Sequence, residues 1–175
     1  PYLGSHQGLL SPFHEGFRRA LIACSNETGL KEVWCSYWRQ SQDVQRRFEE
    51  YPSALVKIEA WEGIYAWIFS AETLAFAWDS KSVDALVNWY AEVVAKVPTM
   101  ESFQTTDMTV WPLAALRGLK EFAYQVGNRE LEETALMAQQ GIGSINKCAW
   151  LIDRSLLHYR RGQQLVATDL AHQSI

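Results

Sequence analysis

Apolar residues recur every three or four positions along most of this chain, which is the spacing of an α-helix with one buried face. The clearest example follows Thr109, with apolar residues at Ala115, Leu116, Leu119, Phe122, Ala123 and Val126. Pro112 fits the first turn of this helix, because a proline there loses no backbone hydrogen bond. Gly127 predicts its end and Asn128 predicts the cap of the next helix. The segment is therefore predicted to be a helical hairpin that begins close to Thr109.

Capping residues and prolines divide the first half of the chain into further helices. Ser11 and Pro12 predict the start of a helix that ends near Asn26. Thr28 starts a long second helix, which we expect to end before Pro52 because a residue that precedes proline avoids helical angles. No segment alternates apolar and polar residues for long enough to predict a strand, so no sheet is expected.

Similar signals continue the helical pattern through the rest of the chain. Helix starts are predicted at Ser53, at Ser80 or Ser82, and at Ser144, and helix ends before Pro98 and at Gly162. The helix from Ser53 either continues to Trp78 or breaks at Ser70. The helix from Ser144 carries an apolar stripe of Ile145, Cys148, Ala149, Ile152, Leu156 and Tyr159. A short last helix contains Leu165, Val166 and Leu170.

Three tryptophans lie away from the main apolar stripe of their own helix and suggest how the helices are arranged. Trp67, Trp89 and Trp150 are each displaced by about 100° from that stripe and need a second packing surface. In a stack of hairpins a middle helix packs on neighbours on both sides. We therefore expect an all-α fold of about seven helices, built as stacked helical hairpins in an α-solenoid-like array or a multi-helix bundle. A single domain over residues 1–175 is expected.

The amino-acid composition indicates the cellular compartment of the protein and excludes some classes of binding partner. The chain has 16 basic and 20 acidic residues, a formal net charge of -4, which argues against direct nucleic-acid binding. Cys24, Cys35 and Cys148 form no CxxC pair, so neither a disulfide framework nor a zinc site is predicted. An intracellular location, cytoplasmic or nuclear, follows from this expectation of reduced thiols. No apolar run reaches the roughly 20 residues that span a bilayer, and Pro1 in place of Met indicates a fragment or a processed product.

The motifs that could carry chemistry are incomplete. His14 opens a predicted helix, but Arg18 occupies the position where a zinc-binding helix needs a second histidine. His158 lacks an orienting carboxylate on its own face, since Asp153 is five residues away. Residues 141–144 are rich in glycine, but they follow a helix rather than the strand that a phosphate-binding loop requires. No catalytic residue, metal site or cofactor is therefore predicted.

Five residues are the candidates for binding a partner. Arg160 and Arg161 occupy the last turn of their helix, where they either complement the helix dipole or bind an acidic segment of a partner. Trp67, Trp89 and Trp150 are core residues of a second packing layer, anchors of an interface, or the lining of a cavity. The sequence leaves these alternatives open.

A resemblance to a known family adds a context. Residues 110–154 contain Trp-Pro-Leu from Trp111, Leu-Glu-Glu-Thr from Leu131, and a helix with Cys148 between Asn146 and Asp153. This order resembles the helical N-terminal half of PCI-domain proteins, the relatives of subunits of the nuclear mRNA-export complex and of proteasome-lid-like assemblies. The resemblance implies a helical repeat scaffold within a larger assembly, without the winged-helix half.

These observations lead to one preferred function and two alternatives. We expect a non-enzymatic helical scaffold that mediates protein–protein interaction, with a protein partner and no membrane. The first alternative is an all-α protein or enzyme that binds a hydrophobic ligand in a pocket lined by tryptophan. The second is a phage, virulence or immunity factor that acts by surface binding. A large exposed apolar patch would favour the scaffold, whereas an enclosed dry cavity would favour the pocket.

Overall fold

The computed structural model of the chain is helical over almost all of the sequence that it describes. The described residues are 4–6, 9–11, 27–97, 108–142 and 145–174. A short antiparallel pair of strands, β1 (Gly4–His6) and β2 (Leu9–Ser11), places Ser5 opposite Leu10. This pair is the exception to the expectation that no sheet forms, and the all-α class is otherwise as predicted.

Within the described residues the chain forms nine α-helices rather than about seven. These are α1 (Glu27–Gln40), α2 (Val44–Lys57), α3 (Trp61–Ile68), α4 (Ala71–Asp79), α5 (Val83–Lys96), α6 (Leu113–Gln125), α7 (Arg129–Gln140), α8 (Lys147–Arg160) and α9 (Gln164–Gln173). A single 3₁₀ turn, Met108–Val110, precedes α6. The predicted helix between Pro12 and Asn26 lies outside the described residues.

The additional helices arise where a local cap interrupts a long predicted helix. The helix expected from Thr28 to Pro52 is two helices, because the Asp43 carboxylate accepts the backbone N–H of Arg46 at 3.0 Å and starts α2. The predicted end before Pro52 is wrong, since Pro52 lies inside α2. Its ring is fully buried, and that burial offsets part of the roughly 3 kcal/mol that proline costs inside a helix.

The boundaries in the middle of the chain are partly as predicted. The predicted helix start at Ser53 is wrong: that residue lies within α2, and the next helix begins at Trp61. The break at Ser70 is confirmed, because its hydroxyl accepts the backbone N–H of Thr73 at 3.2 Å. Ser82 precedes α5 as one of the two predicted starts, and α5 ends before position 98 as expected.

The predicted hairpin after Thr109 is present, with a small shift at its start. The 3₁₀ turn occupies the first predicted residues, so the helix starts after Pro112. Gly127 ends it with a positive φ of 74°, which glycine adopts without strain. The Asn128 side chain then caps α7 by accepting the N–H of Leu131 at 3.0 Å.

The start of α8 differs from the prediction, whereas its end agrees. Asn146 caps α8 by accepting the N–H of Ala149 at 3.1 Å. The predicted cap, Ser144, lies outside the described residues. Gly162 follows the last turn with a φ of 75°, so the predicted helix end there is confirmed.

The chain divides into two compact units, Pro1–Ala60 and Trp61–Ile175. In the first unit α1 packs on α2. In the second unit α4 packs on α6, α6 on α7 and α8 on α9, while α7 also contacts α8. Packing of this kind occurs both in bundles and in stacked hairpins, so the stacked arrangement and the single domain over 1–175 stay predictions.

A glycine permits the close approach of α4 and α6. A Cβ atom on Gly118 would overlap the backbone carbonyl oxygen of Leu74 and lie 3.4 Å from Cβ of Trp78. Phe122, one turn further along α6, is fully buried and meets the rings of Phe69 and Tyr90 edge-on, each with ring centroids 5.3 Å apart. These contacts fix the position of α6, which also packs on α7 and carries Lys120 and Tyr124.

Candidate protein-interaction surface

Helix α8 carries two apolar faces, and only one of them is buried. Trp150, Leu151 and Leu157 form a buried cluster with Leu136 of α7 and Leu170 of α9. The other face exposes Ile152, Leu156 and Tyr159, whose exposed fractions are 49%, 51% and 62%. Residues at spacings of four and seven share one side of a helix. We call these three residues the α8 stripe.

The stripe was expected on the buried side of its helix, and the structure corrects this. Ile152, Leu156 and Tyr159 belong to the apolar stripe that the sequence pattern assigns to the helix from Ser144, yet they face solvent. Trp150, which lies away from that stripe, is buried instead. Tertiary packing explains this difference, because Leu136 of α7 and Leu170 of α9 pack against the face of α8 that carries Trp150. The number of apolar residues on both faces was the sequence signal for a second surface.

Ion pairs border one flank of the stripe. The Lys120 ammonium of α6 lies 2.6 Å from the Asp153 carboxylate of α8. About two turns later along α8, the Arg160 guanidinium lies 2.6 Å from the Glu132 carboxylate of α7. These four residues, together with Glu121, Tyr124 and Leu156, line a cleft of about 290 Å³. The flank is therefore polar and charge-paired.

Additional contacts hold Arg160 in place. Its guanidinium lies over the Tyr124 ring, 4.5 Å from the ring centroid. Its Nε donates a hydrogen bond to the backbone oxygen of Leu156 at 3.2 Å. With the Glu132 pair, these contacts restrict the rotamers of a side chain that otherwise has considerable conformational entropy.

Arg161, the second predicted partner-binding arginine, is also bound within the chain. It donates to the Glu133 carboxylate at 2.6 Å and to the backbone oxygen of Arg129 at 2.9 Å. Both arginines thus join the C-terminal end of α8 to acidic residues in the first half of α7. That an acidic partner also binds them stays a prediction.

The three candidate tryptophans occupy different environments. Trp67 and Trp150 are buried, which agrees with the core alternative, and Trp89 is partly exposed on α5. The Trp150 indole N–H donates to the backbone oxygen of Leu136 at 2.8 Å, and the Arg154 guanidinium lies 5.3 Å from its ring centroid. The hydrogen bond to Leu136 joins α8 to α7.

A second cleft, of about 580 Å³, lies at the turn between α4 and α5. It is lined by Trp78, Asp79, Lys81, Val83, Asp84, Glu121 and Gln125. Most of these side chains are charged or polar. Trp67, Trp89 and Trp150 line neither this cleft nor the one beside the α8 stripe. Neither cleft therefore matches the pocket expected for a hydrophobic ligand.

The first unit contains a separate aromatic cluster on α1. The rings of Trp34 and Tyr37 each meet Trp38 edge-on, with centroids 5.7 Å and 5.0 Å away. The buried Trp38 indole N–H has no hydrogen-bond acceptor. Burial raises the pKa of the neighbouring Cys35 thiol, and the charge of Lys57 opposes this increase. The cluster packs α1, and burial disfavours the thiolate form of Cys35.

Comparisons with known proteins identify no relative of this chain. No protein-family model, no curated protein and no solved structure matches this chain. Among the described residues, no three histidine, cysteine, aspartate or glutamate side chains lie close enough together to hold a metal ion. The helices described in this structure are all too short or too polar to cross a membrane.

Proposed function

We propose that this protein is a non-enzymatic helical scaffold that binds a protein partner through the α8 stripe. The observation that supports this proposal is the second apolar face of α8, where three large side chains are each about half exposed. Single exposed apolar residues are ordinary, but the three residues of the α8 stripe are adjacent on one helix face and form a continuous apolar surface. An exposed apolar surface of this kind is typical of a site that another protein covers.

The α8 stripe and its border have the composition of a protein-binding site. A tyrosine and two branched aliphatic residues supply apolar area, and tyrosine is enriched among the residues that dominate binding energy. The ion pairs Lys120–Asp153 and Arg160–Glu132 form a polar border on one side. An apolar centre with a polar rim is typical of protein interfaces, whereas a ligand pocket is concave and largely enclosed.

Stacked hairpins and a place in a larger assembly belong to the same proposal. The pairing of α6 with α7 and of α8 with α9 supports hairpin units in the second compact unit. The resemblance of residues 110–154 to PCI-domain proteins would make this unit one part of an extended helical array. In such an array an apolar helix face that is left exposed receives the next protein.

The test compares two substitutions of exposed apolar residues. Leu156→Asp places a charge at the centre of the α8 stripe, and Val94→Asp changes a residue on α5 that is 41% exposed. Wild type and both variants are purified from the native source, and their bound proteins are quantified. Losing the burial of one leucine, about 1.5–3 kcal/mol, predicts at least a tenfold loss of the partner with Leu156→Asp.

The control variant makes the outcome interpretable. Val94→Asp is expected to retain the partner, because Val94 lies on α5 and belongs neither to the α8 stripe nor to the ion pairs beside it. Circular dichroism and thermal melting check that both variants are folded. Equal recovery of every bound protein by wild type and folded Leu156→Asp would reject the α8 stripe as the binding surface.

A further inference from the structure

We infer that the protein bound at the α8 stripe is a second copy of this chain, with the two α8 helices antiparallel. This inference rests on the proposed function and names the partner of the same surface. The charges along the flank of the α8 stripe support this pairing. An isologous dimer requires a patch that is complementary to itself, and this flank meets that requirement.

The flank carries one negative and one positive side chain of similar exposure, Asp153 at 38% and Arg160 at 35%. Asp153 and Arg160 are seven residues apart, which places them on the same side of α8 and about 10 Å apart along its axis. Leu156 lies midway between them. Each charge is held by its own intramolecular partner, Lys120 or Glu132, at 2.6 Å.

This order of charges selects one orientation of two copies. In an antiparallel pair centred beside Leu156, Asp153 of each copy faces Arg160 of the other, which gives two attractive contacts. A parallel two-fold pair would place the two flanks on opposite sides of the contact, so neither charge would meet a charge of the other copy. Only the antiparallel pair brings Asp153 and Arg160 of the two copies together, so only that pair is complementary.

The apolar residues of the α8 stripe also fit an antiparallel pair centred beside Leu156. Leu156 would pack beside its own counterpart, and Ile152 of one copy would lie within one helical turn of Tyr159 of the other. The alternation of an acid and a base along the flank makes the contact electrically neutral, although the whole chain has a net charge of -4. A second copy can therefore approach here without the repulsion that its overall charge would cause elsewhere.

Fixed side chains favour the same contact. The Tyr124 ring and the Leu156 backbone oxygen already hold the Arg160 guanidinium, at 4.5 Å and 3.2 Å. A preorganised arginine loses less conformational entropy when it meets a carboxylate of the second copy. Arg160 would then lie between its own Glu132 and the other copy's Asp153.

The first test is the mass of the purified 175-residue chain in solution. Sedimentation equilibrium at increasing concentration is expected to show a reversible monomer–dimer equilibrium for wild type and for Val94→Asp. Leu156→Asp is expected to weaken dimerisation at least tenfold. A wild type that stays monomeric up to roughly 100 μM, a concentration at which only very weak complexes escape detection, would overturn the inference.

A charge-swap experiment tests the facing residues and preserves the intramolecular ion pairs. One variant combines Asp153→Lys with Lys120→Asp, and the other combines Arg160→Glu with Glu132→Arg. Each variant alone places like charges across the dimer and is expected to be monomeric. An equimolar mixture restores opposite charges and is expected to form a heterodimer. Monomers in the mixture, with both variants folded, would contradict the proposed contact.

Disulfide formation reports the orientation and needs no charge substitution. In a background with Cys24→Ser, oxidation of Leu156→Cys is expected to link two copies. A protein that keeps Leu156 is not expected to form a disulfide through Cys148. The antiparallel pair separates the two Cys148 residues by about 25 Å along the helix axis. Linkage through both positions would indicate a parallel pair and overturn the inference.

These results separate this inference from the proposed function. A monomeric wild type from which Leu156→Asp removes a different bound protein rejects the second copy and keeps the binding surface. A monomeric wild type with no bound protein affected by Leu156→Asp rejects both. A dimer that Leu156→Asp does not weaken places self-association on another surface and rejects the inference.

Discussion

Arg160 and Arg161 are neighbours in the chain, yet the carboxylates that they meet differ in burial. Arg160 pairs with Glu132, whose side chain is only 6% exposed. Arg161 pairs with Glu133, whose side chain is 40% exposed. A carboxylate removed from water depends strongly on its counter-charge, whereas an exposed pair contributes about 0–1 kcal/mol. The two arginines should therefore differ in their effect on stability.

We expect Arg160→Glu to lower the free energy of unfolding more than Arg161→Glu. Reversal at position 160 leaves buried Glu132 opposite a like charge, and we expect a loss of about 1–3 kcal/mol after allowance for the partial exposure of Arg160. Reversal at position 161 should lose about 0–1 kcal/mol. Urea unfolding monitored by circular dichroism measures both, and equal losses would show that the burial of Glu132 has no effect.

At the scale of helices, the contact between α4 and α6 depends on the absence of a side chain. Gly118 allows the α6 backbone to approach Leu74, where any Cβ atom would meet the Leu74 carbonyl oxygen. Close packing of this kind leaves little room for adjustment, because protein interiors are as dense as organic crystals. The contact also positions Lys120 and Tyr124 beside the α8 stripe.

Gly118→Ala is expected to destabilise the second unit. The new methyl group forces α4 and α6 apart at a cost of about 1–3 kcal/mol, which exceeds the gain of up to about 1 kcal/mol from replacing glycine in a helix. Gly141→Ala is the matched control, since it has a φ of -72° and its nearest contact would be 3.9 Å away. Thermal melting compares them, and equal melting temperatures would contradict the close approach.

At the scale of the whole molecule, one buried thiol and two half-buried phenols among the described residues resist loss of a proton at high pH. Burial raises the pKa of Cys35 above its ordinary value of 9.0, and raises the pKa of Tyr51 and of Tyr65 above 10.0. Nearby charges modify these effects: Lys57 opposes the shift at Cys35, and Arg39 opposes the shift at Tyr51. The three groups lie in both compact units.

Stability is therefore expected to fall on the alkaline side. A group whose folded pKa is raised contributes its full stability below the unfolded pKa, and this contribution is lost as pH rises through the folded pKa. Denaturant unfolding from pH 8 to pH 11 should show a free energy of unfolding that decreases above roughly pH 9. Tyr65→Phe should reduce the slope above pH 10, and an unchanged slope would show that Tyr65 does not take part.

Several local features of the fold follow from the sequence alone. Asn128 accepts a backbone N–H of the first turn, and Gly127 and Gly162 adopt positive φ, because these residue types have those capacities in any protein. Caps and stops act within a few residues, so a single sequence determines them. The helical class and the hairpin after Pro112 were predictable for this reason.

The tertiary structure alone decided which apolar face of α8 is buried. The sequence places apolar residues on both faces, and its periodicity favoured Ile152, Leu156 and Tyr159 as the core. Trp150 is buried instead because Leu136 and Leu170, from two other helices, meet that side. Pro52 stays inside α2 in the same way, since its burial offsets an unfavourable local preference. Burial depends on residues distant in sequence, and no local pattern contains them.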